Sequence, residues 1–376
     1  MSRHTQPTRR RFLGTLAGGA AAAATVTMSA ASRDREETIP DRQQPASPND
    51  QIQIALIGAG IQGTGDTATA ITVPGVKLVA VCDLYDGRLT DAKKRWGQDL
   101  YTTCDYREIL NRPDIDAVIV ATPDHWHRQI GVEALGKNKS VYLEKPMVQQ
   151  LGEGEALIAA QKTSKGILQV GSQGMSSLSN EKARQLLAAG AIGKLLLIRG
   201  GFTFFLDRPN DVRLKPEWGG GSIWDVGCYP LSYARFLLGA EPEDVFGWQN
   251  TAPSGIDDVF VAQARFPGGA YAQFDCSFRL ASRSFIEIVG PGGSITIPEP
   301  YKPGKNVKVR LSRADGSSEM VRMPGSELYI GEVEDLADAI LLGKASRISL
   351  ADSRANVAAI CGLLESARRA QAIPLR

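Results

Sequence analysis

The sequence predicts an α/β fold in which a parallel sheet alternating with helices is followed by a second α/β domain with a large, mostly antiparallel open sheet. A short apolar strand runs directly into a glycine-rich turn, and short apolar strands then alternate with helical segments up to about residue 172. Beyond that point longer amphipathic strands are separated by Gly/Pro turns, such as those after Phe266 and Gly290. Such turns are typical of antiparallel neighbours.

The glycine-rich turn is the most specific local signal. The strand Ile52–Ile57 ends at Gly58, and residues 58–63 fit the pattern G-x-G-x-x-G at the start of a helix. The first glycine permits a tight turn, the second lets the backbone approach a pyrophosphate, and the third lets the helix lie against the strand. The pyrophosphate binds the N–H groups at the helix start, so the turn indicates a Rossmann domain that binds a nicotinamide dinucleotide. The residues of the turn predicted to bind it are Gly58, Gly60, Ile61, Gln62 and Gly63.

An acidic residue follows the next predicted strand. Val76–Cys82 leads to Asp83, about twenty residues past the glycine turn, where a carboxylate accepts hydrogen bonds from the ribose hydroxyls of the adenosine half. The carboxylate repels a 2′-phosphate, so NAD is favoured over NADP, although Arg88, Lys93 and Lys94 stand nearby in sequence and could offset that repulsion. The turn alone would be weak evidence, but this strand and acid support it; a glycine loop in an unliganded α/β fold remains the alternative.

Composition and pattern divide the chain into an export signal, a proline-containing arm or linker, a Rossmann domain, and a substrate and oligomerisation domain. Their bounds are 1–31, 32–50, 51–172 and 173–376. The signal has consecutive arginines at Arg9, Arg10 and Arg11, then a weakly apolar run and small residues before a cut near Ala31. It resembles a twin-arginine signal, which exports folded proteins, and its low hydrophobicity argues against a stable membrane anchor. We therefore predict a periplasmic or secreted protein, with a disordered basic tail as the alternative.

The arm is polar and charged and cannot form a core. It carries Pro40, Pro45 and Pro48, which favour an extended backbone. Two interpretations remain open: an arm that encloses a ligand or a neighbouring subunit, and a spacer left after signal cleavage.

The net charge and the cysteine content indicate which partners and cross-links to expect. The formal net charge is +2, which gives no reason to expect a nucleic-acid or membrane partner. The five cysteines form no C-x-x-C pair and are odd in number, so a disulfide framework is not indicated. The mature chain remains long enough for two domains with cores of their own.

Two polar segments follow strands of the predicted parallel sheet. Thr122 and Pro123 follow one strand, and Glu144-Lys145-Pro146 follows another. Ligands of such sheets bind beyond the carboxyl ends of the strands, so both segments point at the cofactor cleft. We therefore add Thr122, Pro123, Glu144 and Lys145 to the predicted cofactor-binding residues.

These motifs, together with a second glycine-rich segment, resemble those of the glucose-fructose oxidoreductase / inositol dehydrogenase (Gfo/Idh/MocA) family. The second segment, residues 219–229, reads G-G-G-S-I-W-D-V-G-C-Y. The resemblance covers nearly the whole mature chain, and this segment and Glu144-Lys145-Pro146 carry it most specifically. It implies an N-terminal Rossmann domain, a C-terminal domain with an open sheet, homo-oligomers (dimers or tetramers) built on that sheet, and His127 packed near the nicotinamide as a cofactor-binding residue.

Sugar oxidation gives these residues chemical roles. Oxidising a sugar alcohol with a nicotinamide cofactor requires a base for the hydroxyl proton, a cation for the developing alkoxide and a fixed substrate position. Lys145 is the predicted cation, and burial beside the nicotinamide is expected to lower its pKa. Asp225 and Tyr229 are four residues apart on one predicted helical face. Tyr229 would exchange the proton, and Asp225 would orient the substrate hydroxyls.

The residue at position 229 separates branches of the family. Inositol dehydrogenase-like members carry His there as the general base, whereas this chain has Tyr229, as do glucose-fructose oxidoreductase and the aldose and dihydrodiol dehydrogenases that it resembles. That favours a pair of Lys145 and Tyr229. Structural roles remain as alternatives: a surface lysine at a strand end, an aromatic residue at a helix start and, for Asp225, a helix cap. No metal site is predicted, because His125 and His127 lack a third clustered ligand.

The predicted function is that of an exported NAD(P)-dependent oxidoreductase, which transfers hydride between a sugar (an aldose or related polyol) and a tightly bound nicotinamide cofactor. Free cofactor should be scarce outside the cytoplasm, so an exported enzyme must carry its own and cycle by oxidising one sugar and reducing another. Two alternatives stay open. One is a redox-neutral NAD-dependent glycoside hydrolase, against which the histidine-free segment 225–229 argues, and the other is a dinucleotide-binding protein without catalysis.

Overall fold

The structure, a computed structural model, describes most of the chain beyond the predicted export signal. The described residues are 32–37, 51–171, 177–304, 306–325 and 329–375. The predicted signal, residues 1–31, and most of the predicted arm, residues 38–50, lie outside the described residues.

The described part of the chain forms sixteen strands and nine α-helices, joined by turns. The strands are β1 (Ser32–Glu36), β2 (Ile52–Ile57), β3 (Val76–Cys82), β4 (Tyr101–Thr103), β5 (Ala117–Val120), β6 (Ser140–Leu143), β7 (Leu168–Val170), β8 (Leu197–Thr203), β9 (Asp244–Thr251), β10 (Asp257–Phe266), β11 (Ala270–Ser277), β12 (Arg283–Gly290), β13 (Gly293–Ile297), β14 (Asn306–Arg313), β15 (Ser318–Pro324) and β16 (Ile373–Pro374). The helices are α1 (Ile61–Ala70), α2 (Asp86–Trp96), α3 (Tyr106–Asn111), α4 (His127–Gly136), α5 (Leu151–Thr163), α6 (Leu178–Ala188), α7 (Cys228–Leu238), α8 (Ile330–Leu342) and α9 (Leu350–Arg369). None of the helices in the described ranges is both long and apolar enough to cross a membrane.

The first sheet is parallel and six-stranded, in the order β4-β3-β2-β5-β6-β7. Apart from the short β4, its strands lie where the sequence predicts them, because short apolar runs such as Ala117–Val120 suit strands that are buried on both faces. The strand order reverses beside β2, which pairs with β3 on one side and β5 on the other. Sheets of this kind bind ligands beyond the carboxyl ends of the strands at such a switch point. The predicted Rossmann arrangement is confirmed.

The second sheet has ten strands in the order β1-β15-β14-β13-β12-β8-β11-β10-β9-β16. Neighbouring strands are antiparallel except for the pairs β1–β15 and β8–β11, which are parallel. Along β14, Val307, Val309 and Leu311 are buried and alternate with exposed residues, so one face of the sheet packs on the core. The predicted large, mostly antiparallel sheet is confirmed.

The sequence pattern misses several strands, among them β9, β15 and β1. β9 reads D-V-F-G-W-Q-N-T and β15 reads S-E-M-V-R-M-P, so neither shows the run of β-branched residues that marks a strand. β1 reads S-R-D-R-E, comes from the predicted arm and pairs in parallel with β15. The pairing partner determines these strands, and local sequence does not reveal that partner.

Helix α8 returns from the second half of the chain to the first sheet. Its residues Val333, Leu336 and Ala337 are buried in one cluster with Leu56 and Ile119 of the parallel sheet. The two halves of the protein therefore share part of a core.

The packing of α1 on β2 depends on Gly63. A Cβ at this position would lie 2.2 Å from the carbonyl oxygen of Gly58 and 2.9 Å from Cδ1 of Leu56, so the backbone would have to shift. We expect Gly63→Ala to lower the free energy of unfolding by roughly 1–3 kcal/mol, measured by urea denaturation. Gly65→Ala is the matched control, because a Cβ there meets nothing within 4 Å, and it should be neutral or slightly stabilising. An equal loss in both variants would contradict this explanation.

Candidate active site

The glycines of the turn after β2 are required for different reasons. Gly58 has a φ of +98°, and a Cβ there would lie 2.6 Å from the carbonyl oxygen of Ala121. Gly63 is needed for the packing of α1. At Gly60, however, the nearest atom to a Cβ is Arg88 Nη1 at 3.9 Å, so the protein leaves open space there. A glycine that the protein itself does not require, at the start of a helix, fits a backbone that a ligand approaches closely.

A cavity of about 470 Å³ opens beside the glycine turn, between the start of α1 and helix α2. Its lining includes Gly60, Thr64, Arg88 and Trp96. The first N–H groups of an α-helix have no intrahelical acceptor, so those at the start of α1 suit a pyrophosphate.

Asp83 is held by hydrogen bonds at the end of β3. Its Oδ2 accepts hydrogen bonds from the Ala59 N–H at 2.7 Å and from Arg88 Nη1 at 3.1 Å, and its Oδ1 accepts one from the Tyr85 N–H at 3.0 Å. The guanidinium carbon of Arg88 also lies 4.7 Å from the centroid of the Tyr85 ring. The carboxylate predicted for ribose binding therefore lies next to the glycine turn, with one of the nearby cations paired to it.

The carboxyl group of Glu144 faces the buried side of the glycine turn. Its Oε2 accepts a hydrogen bond from the Lys145 N–H at 3.1 Å, and its Oε1 lies 3.5 Å from Gln62 Nε2. Gln62 also donates to Asp66 Oδ1 at 2.8 Å. Burial raises the pKa of Glu144, and burial together with the charge of Glu144 raises the pKa of Asp66 well above its usual value. Asp66 therefore holds its proton to a higher pH than a solvent-exposed aspartic acid does.

The same network reaches helix α8. The Tyr142 hydroxyl donates to the carboxylate of Glu332 and lies 3.4 Å from Glu144 Oε1. Tyr329, next to the start of α8, donates to Gln62 Oε1 at 3.3 Å. The network thus fixes Glu144 through residues from α1, β6 and the region of α8.

The structure brings Lys145, Asp225 and Tyr229 together at one end of the parallel sheet. Lys145 Nζ donates to Asp225 Oδ1 at 3.0 Å and to the Asp225 carbonyl at 2.8 Å, and it lies 5.2 Å from the centroid of the Tyr229 ring. Asp225 belongs to a π-helical turn, Ile223–Gly227, and Tyr229 belongs to the first turn of α7, which continues it. The predicted helix that carries Asp225 and Tyr229 therefore begins with a wider turn, and both side chains still approach Lys145.

A second cation holds Asp225. Arg213 Nε donates to Asp225 Oδ2 at 2.7 Å, and Arg213 Nη1 donates to Asp211 Oδ1 at 3.2 Å. Burial alone would raise the pKa of Asp225, but the charges of Lys145 and Arg213 outweigh it and hold that pKa well below its usual value. Asp225 is therefore ionised, and its side chain binds two cations instead of capping a helix.

The predicted lowering of the Lys145 pKa is wrong. Burial does lower it, but the carboxylate of Asp225 raises it by more, so the pKa of Lys145 lies well above its usual value. The sequence pattern indicates burial, whereas direct contact between the amine and a carboxylate 80 residues along the chain depends on tertiary packing. Lys145 is a cation at neutral pH.

Tyr229 is buried within an aromatic cluster. The centroid of its ring lies 5.6 Å from those of Phe202 and Tyr301, and these two rings stack on each other at 5.1 Å. Burial raises the pKa of Tyr229 well above its usual value, against the opposing charge of Lys145. The phenol therefore keeps its proton at neutral pH and is available as a hydrogen-bond donor.

His127 lies behind the cleft and is fully buried. Its Nδ1 is 2.9 Å from the carbonyl oxygen of Pro146, and its Nε2 is 3.0 Å from the carbonyl oxygen of Thr122. Burial lowers the pKa of His127 to about 4, so the ring is neutral at pH 7. A neutral imidazole has one N–H, so the ring donates to one of these two carbonyl oxygens while packing against both the segment that carries Lys145 and the end of β5.

Asp124 and Gln149 border the same group of residues. Gln149 Nε2 donates to Asp124 Oδ2 at 3.0 Å and to the carbonyl oxygen of Gly219 at 2.6 Å. Burial raises the pKa of Asp124 to about 8, although the charge of Lys145 opposes this. Below that pH the Asp124 carboxyl group carries a proton, and it can both donate and accept a hydrogen bond.

The residues around the glycine turn fit a nicotinamide dinucleotide. The open side of Gly60 and the start of α1 suit the pyrophosphate, and Asp83 suits a ribose. The hydroxyl of Thr122, at the end of β5, is buried without a hydrogen-bond partner among the described residues, so it offers a group to a ligand. Within the described ranges, no cluster of three His, Cys, Asp or Glu side chains is arranged to hold a metal ion.

Comparison with known proteins agrees with this geometry. Residues 52–172 match the oxidoreductase family with an NAD-binding Rossmann fold, and residues 180–296 match the GFO/IDH/MocA C-terminal domain. The chain belongs to the Gfo/Idh/MocA oxidoreductase family. The fold expected from the sequence resemblance and the membership of this family are both confirmed.

Relatives within the Gfo/Idh/MocA family span most of the chain. The scyllo-inositol 2-dehydrogenase (NAD(+)) of Bacillus subtilis is 28% identical over 320 residues, which cover 82% of this chain and 91% of that protein. The D-xylose 1-dehydrogenase (NADP(+)) 2 of Haloferax volcanii is 26% identical over 325 residues, which cover 84% of this chain and 99% of that protein. The crystal structure of aldose-aldose oxidoreductase from Caulobacter crescentus, complexed with glycerol, superposes with a TM-score of 0.79 at 25% identity, over 86% of this chain and 100% of that one.

The sequence motifs contain Lys145, Asp225 and Tyr229, which the structure brings together, but not the residues that hold them in place. Arg213 lies in a 3₁₀ turn, Val212–Leu214, within the connection between β8 and the π-helical turn, where no sequence pattern predicts the path of the chain. Glu332 lies in a helix far along the chain, and nothing local connects it with Glu144. For Asp124 a signal existed, namely its place directly after Thr122 and Pro123 at the end of a strand.

Because His127 is buried, we expect the folded protein to lose stability in acid. Its pKa of about 4 in the folded protein lies below the usual value of 6.5, so the unfolded chain takes up a proton first as the pH falls. This contribution is fully present above about pH 6.5 and is lost as the pH falls below it, so that the stability lost by pH 4 amounts to about 3 kcal/mol.

We expect the urea midpoint of the parent to fall more between pH 7 and pH 5 than that of His127→Asn. His125→Asn, which replaces an exposed histidine, should keep the parental pH dependence; the same dependence in His127→Asn would contradict this assignment.

Proposed function

We propose that the protein transfers hydride between a sugar, an aldose or related polyol, and a nicotinamide dinucleotide bound in the Rossmann cleft. The observation that carries this proposal is the contact of Lys145 with Asp225 and Tyr229 at the carboxyl end of β6. A substrate oxygen placed there meets a cation and a phenol, which are the groups that alkoxide and carbonyl chemistry requires. The sugar- and polyol-acting names of the relatives support this class of substrate.

The protein's own groups handle the charge and the proton, while the nicotinamide, when bound, accepts or supplies the hydride. Lys145, which Asp225 keeps charged, stabilises the negative charge that develops on the substrate oxygen. Tyr229 holds a proton at neutral pH, so it donates to that oxygen when a carbonyl is reduced and takes the proton back when a hydroxyl is oxidised. The low pKa of Asp225 makes it a poor base, and its role is to position Lys145.

We expect Lys145→Ala to lower turnover by about 10²- to 10⁴-fold, because it removes the cation next to the reacting oxygen. The measurement is the rate of nicotinamide reduction with a panel of sugars, together with circular dichroism to check folding. Lys137→Ala, which removes an exposed lysine at the end of α4, is the matched control and should keep parental turnover. A loss smaller than about threefold in Lys145→Ala would remove this residue from the mechanism.

The role of Tyr229 is tested in the same assay with Tyr229→Phe, which keeps the ring and deletes the hydroxyl. The raised pKa values of Lys145 and Tyr229 mean that both groups are protonated at neutral pH. Reduction should therefore stay nearly constant around neutral pH, whereas oxidation, which needs the phenolate to take up the proton, should rise as the pH moves toward the pKa of Tyr229. In Tyr229→Phe this dependence should flatten, and an unchanged pH profile would assign the proton transfer to another group.

NAD is the favoured cofactor within this proposal. The Asp83 carboxylate, fixed by the N–H groups of Ala59 and Tyr85, would repel a 2′-phosphate at the ribose. Arg88 pairs with Asp83 and neutralises part of that charge, which moderates the discrimination against NADP.

Export in the folded state, through the twin-arginine route, would allow the enzyme to carry its cofactor out of the cytoplasm. The predicted signal supports this part of the proposal. With a retained cofactor the enzyme oxidises one sugar and reduces another in two half-reactions.

A homo-oligomer, a dimer or tetramer, fits the outward face of the ten-stranded sheet. Trp248 and Val261 lie opposite each other on β9 and β10, and Tyr271 lies on β11. All three side chains are exposed. Exposed aromatic and aliphatic side chains on an open sheet favour burial against another subunit.

Purification of the protein from its native periplasmic fraction tests cofactor retention, cofactor identity and assembly together. We expect the purified protein to contain dinucleotide, identified as NAD by mass spectrometry after denaturation, and light scattering to give a multiple of the chain mass. Cofactor-free protein that is activated by added NAD⁺ would contradict retention. NADP in the extract would contradict the interpretation of Asp83, and a monomeric mass would contradict the interface on the sheet.

A further inference from the structure

Helix α8 comes from the second half of the chain and begins beside the glycine turn of the first. Gln169 Nε2 of β7 donates to the carbonyl oxygen of Glu332 at 2.7 Å, and the Tyr142 hydroxyl of β6 donates to the Glu332 carboxylate. Ile330, the first residue of α8, packs against the apolar cluster that contains Ala59 of the turn. The first turn of α8 is therefore fixed to the parallel sheet by polar and apolar contacts together.

Tyr329, which directly precedes α8, has a left-handed backbone. Its φ is +69°, a conformation that glycine adopts freely but that is strained for an aromatic residue. Strained residues persist where the surrounding structure holds them, and they are frequent at functional sites. Glycine would adopt this backbone more easily than tyrosine, so the backbone does not explain a tyrosine here. The requirement at this position therefore lies in the side chain.

The side chain of Tyr329 binds Gln62 of the glycine turn. Its hydroxyl donates to Gln62 Oε1 at 3.3 Å. Gln62 Nε2 donates to Asp66 Oδ1 at 2.8 Å and lies 3.5 Å from Glu144 Oε1. This amide orientation suits all three partners, because the oxygen accepts from a phenol and the nitrogen faces carboxyl oxygens. Gln62 is therefore held at both ends of its amide group, by Tyr329 at one end and by buried carboxyl groups at the other.

Gln62 also belongs to the first turn of α1, whose N–H groups suit the pyrophosphate of a dinucleotide. Gly60, the residue before this helix, supplies no side-chain cap, so the first N–H groups depend on a ligand or on water. Binding costs less when the groups that receive a ligand are already ordered. The contacts of Gln62 with Tyr329 and the carboxyl groups order this helix start before the ligand arrives.

We propose that Tyr329 is a positioning residue, which fixes the glycine turn through Gln62 and thereby slows the release of the bound dinucleotide. This inference rests on the proposed function, in which a nicotinamide dinucleotide occupies the Rossmann cleft. It assigns the retention of that cofactor to a residue from the second half of the chain. Because Tyr329 acts through Gln62, its effect falls on the lifetime of the complex and not on the transfer of hydride.

The dissociation rate of NADH tests this role directly. Protein loaded with NADH is mixed with an excess of NAD⁺ in the absence of sugar, and the loss of nicotinamide fluorescence is followed. We expect Tyr329→Phe, which keeps the ring and deletes the hydroxyl, to release NADH about three- to tenfold faster, because one hydrogen bond is lost. The single-turnover rate of the bound nicotinamide with sugar should stay at the parental value. An unchanged dissociation rate overturns the proposal.

Tyr101→Phe is the matched control. It removes a phenol hydrogen bond of the same kind, which Tyr101 donates to Glu108 at 2.7 Å on the exposed edge strand β4. This variant should release NADH at the parental rate. Faster release from both variants would show a general effect of a lost phenol and would overturn the proposal.

A double-mutant cycle tests the route through Gln62. Gln62→Met removes the acceptor of the Tyr329 hydroxyl, so NADH should leave this variant faster than the parent. Adding Tyr329→Phe to Gln62→Met should then change the rate by less than about twofold, because the two residues act as one unit. A merely structural role of Tyr329 would give the same acceleration in both backgrounds, and that result would overturn the proposal.

The two proposals fail in different ways. Faster release of NADH from Tyr329→Phe, with no sugar reacting in the parent, would refute the proposed function and retain the role of Tyr329. Sugar turnover in the parent, with equal NADH release from the parent and Tyr329→Phe, would retain the function and refute the role of Tyr329.

Discussion

The ion pair of Lys145 and Asp225 connects the two halves of the protein at the site. Lys145 follows a strand of the parallel sheet, whereas Asp225 lies in a π-helical turn that contacts β8, β10 and β11 of the second sheet. The side chains are 20% and 16% exposed, so loss of either partner would leave a poorly hydrated charge, at a cost of up to roughly 3–5 kcal/mol. Tyr229 and Arg213 take their positions around this pair, and the glycine turn lies on the same edge of the first sheet.

Burial and neighbouring charge compete at each ionisable group of the site, and the nearest partner decides the outcome. Burial lowers the pKa of Lys145 and raises that of Asp225, yet contact between the two reverses both effects. At Tyr229 and Asp124 the charge of Lys145 opposes burial but does not outweigh it, so burial raises the pKa values of both groups. Lys145, Tyr229 and Asp124 therefore all carry a proton at neutral pH. Such a site suits the reduction of a carbonyl, whereas the oxidation of a hydroxyl group there would depend on a higher pH.

Much of the fold could be predicted because its signals are local. The strands of the parallel sheet are short apolar runs, and the glycine turn is required by close packing at Gly58 and Gly63. β1 and β15 could not be predicted, because their residues acquire strand structure by pairing with each other across most of the chain. The packing of helix α8 against the first sheet could not be predicted either, since periodicity shows an apolar face and not the surface that covers it.

The sequence by itself determined the NAD-binding Rossmann domain and predicted Asp83, Lys145 and Tyr229 as site residues, because motif spacing places them at strand ends and at a helix start. The tertiary structure alone decided their electrostatics. Arg213 reaches the site from a connection whose path no pattern describes, and the sign of the Lys145 pKa shift depends on a carboxylate 3.0 Å away. Coulomb energies change steeply over a few ångströms, and such distances between residues far apart in the chain are fixed by packing and not by spacing in the sequence.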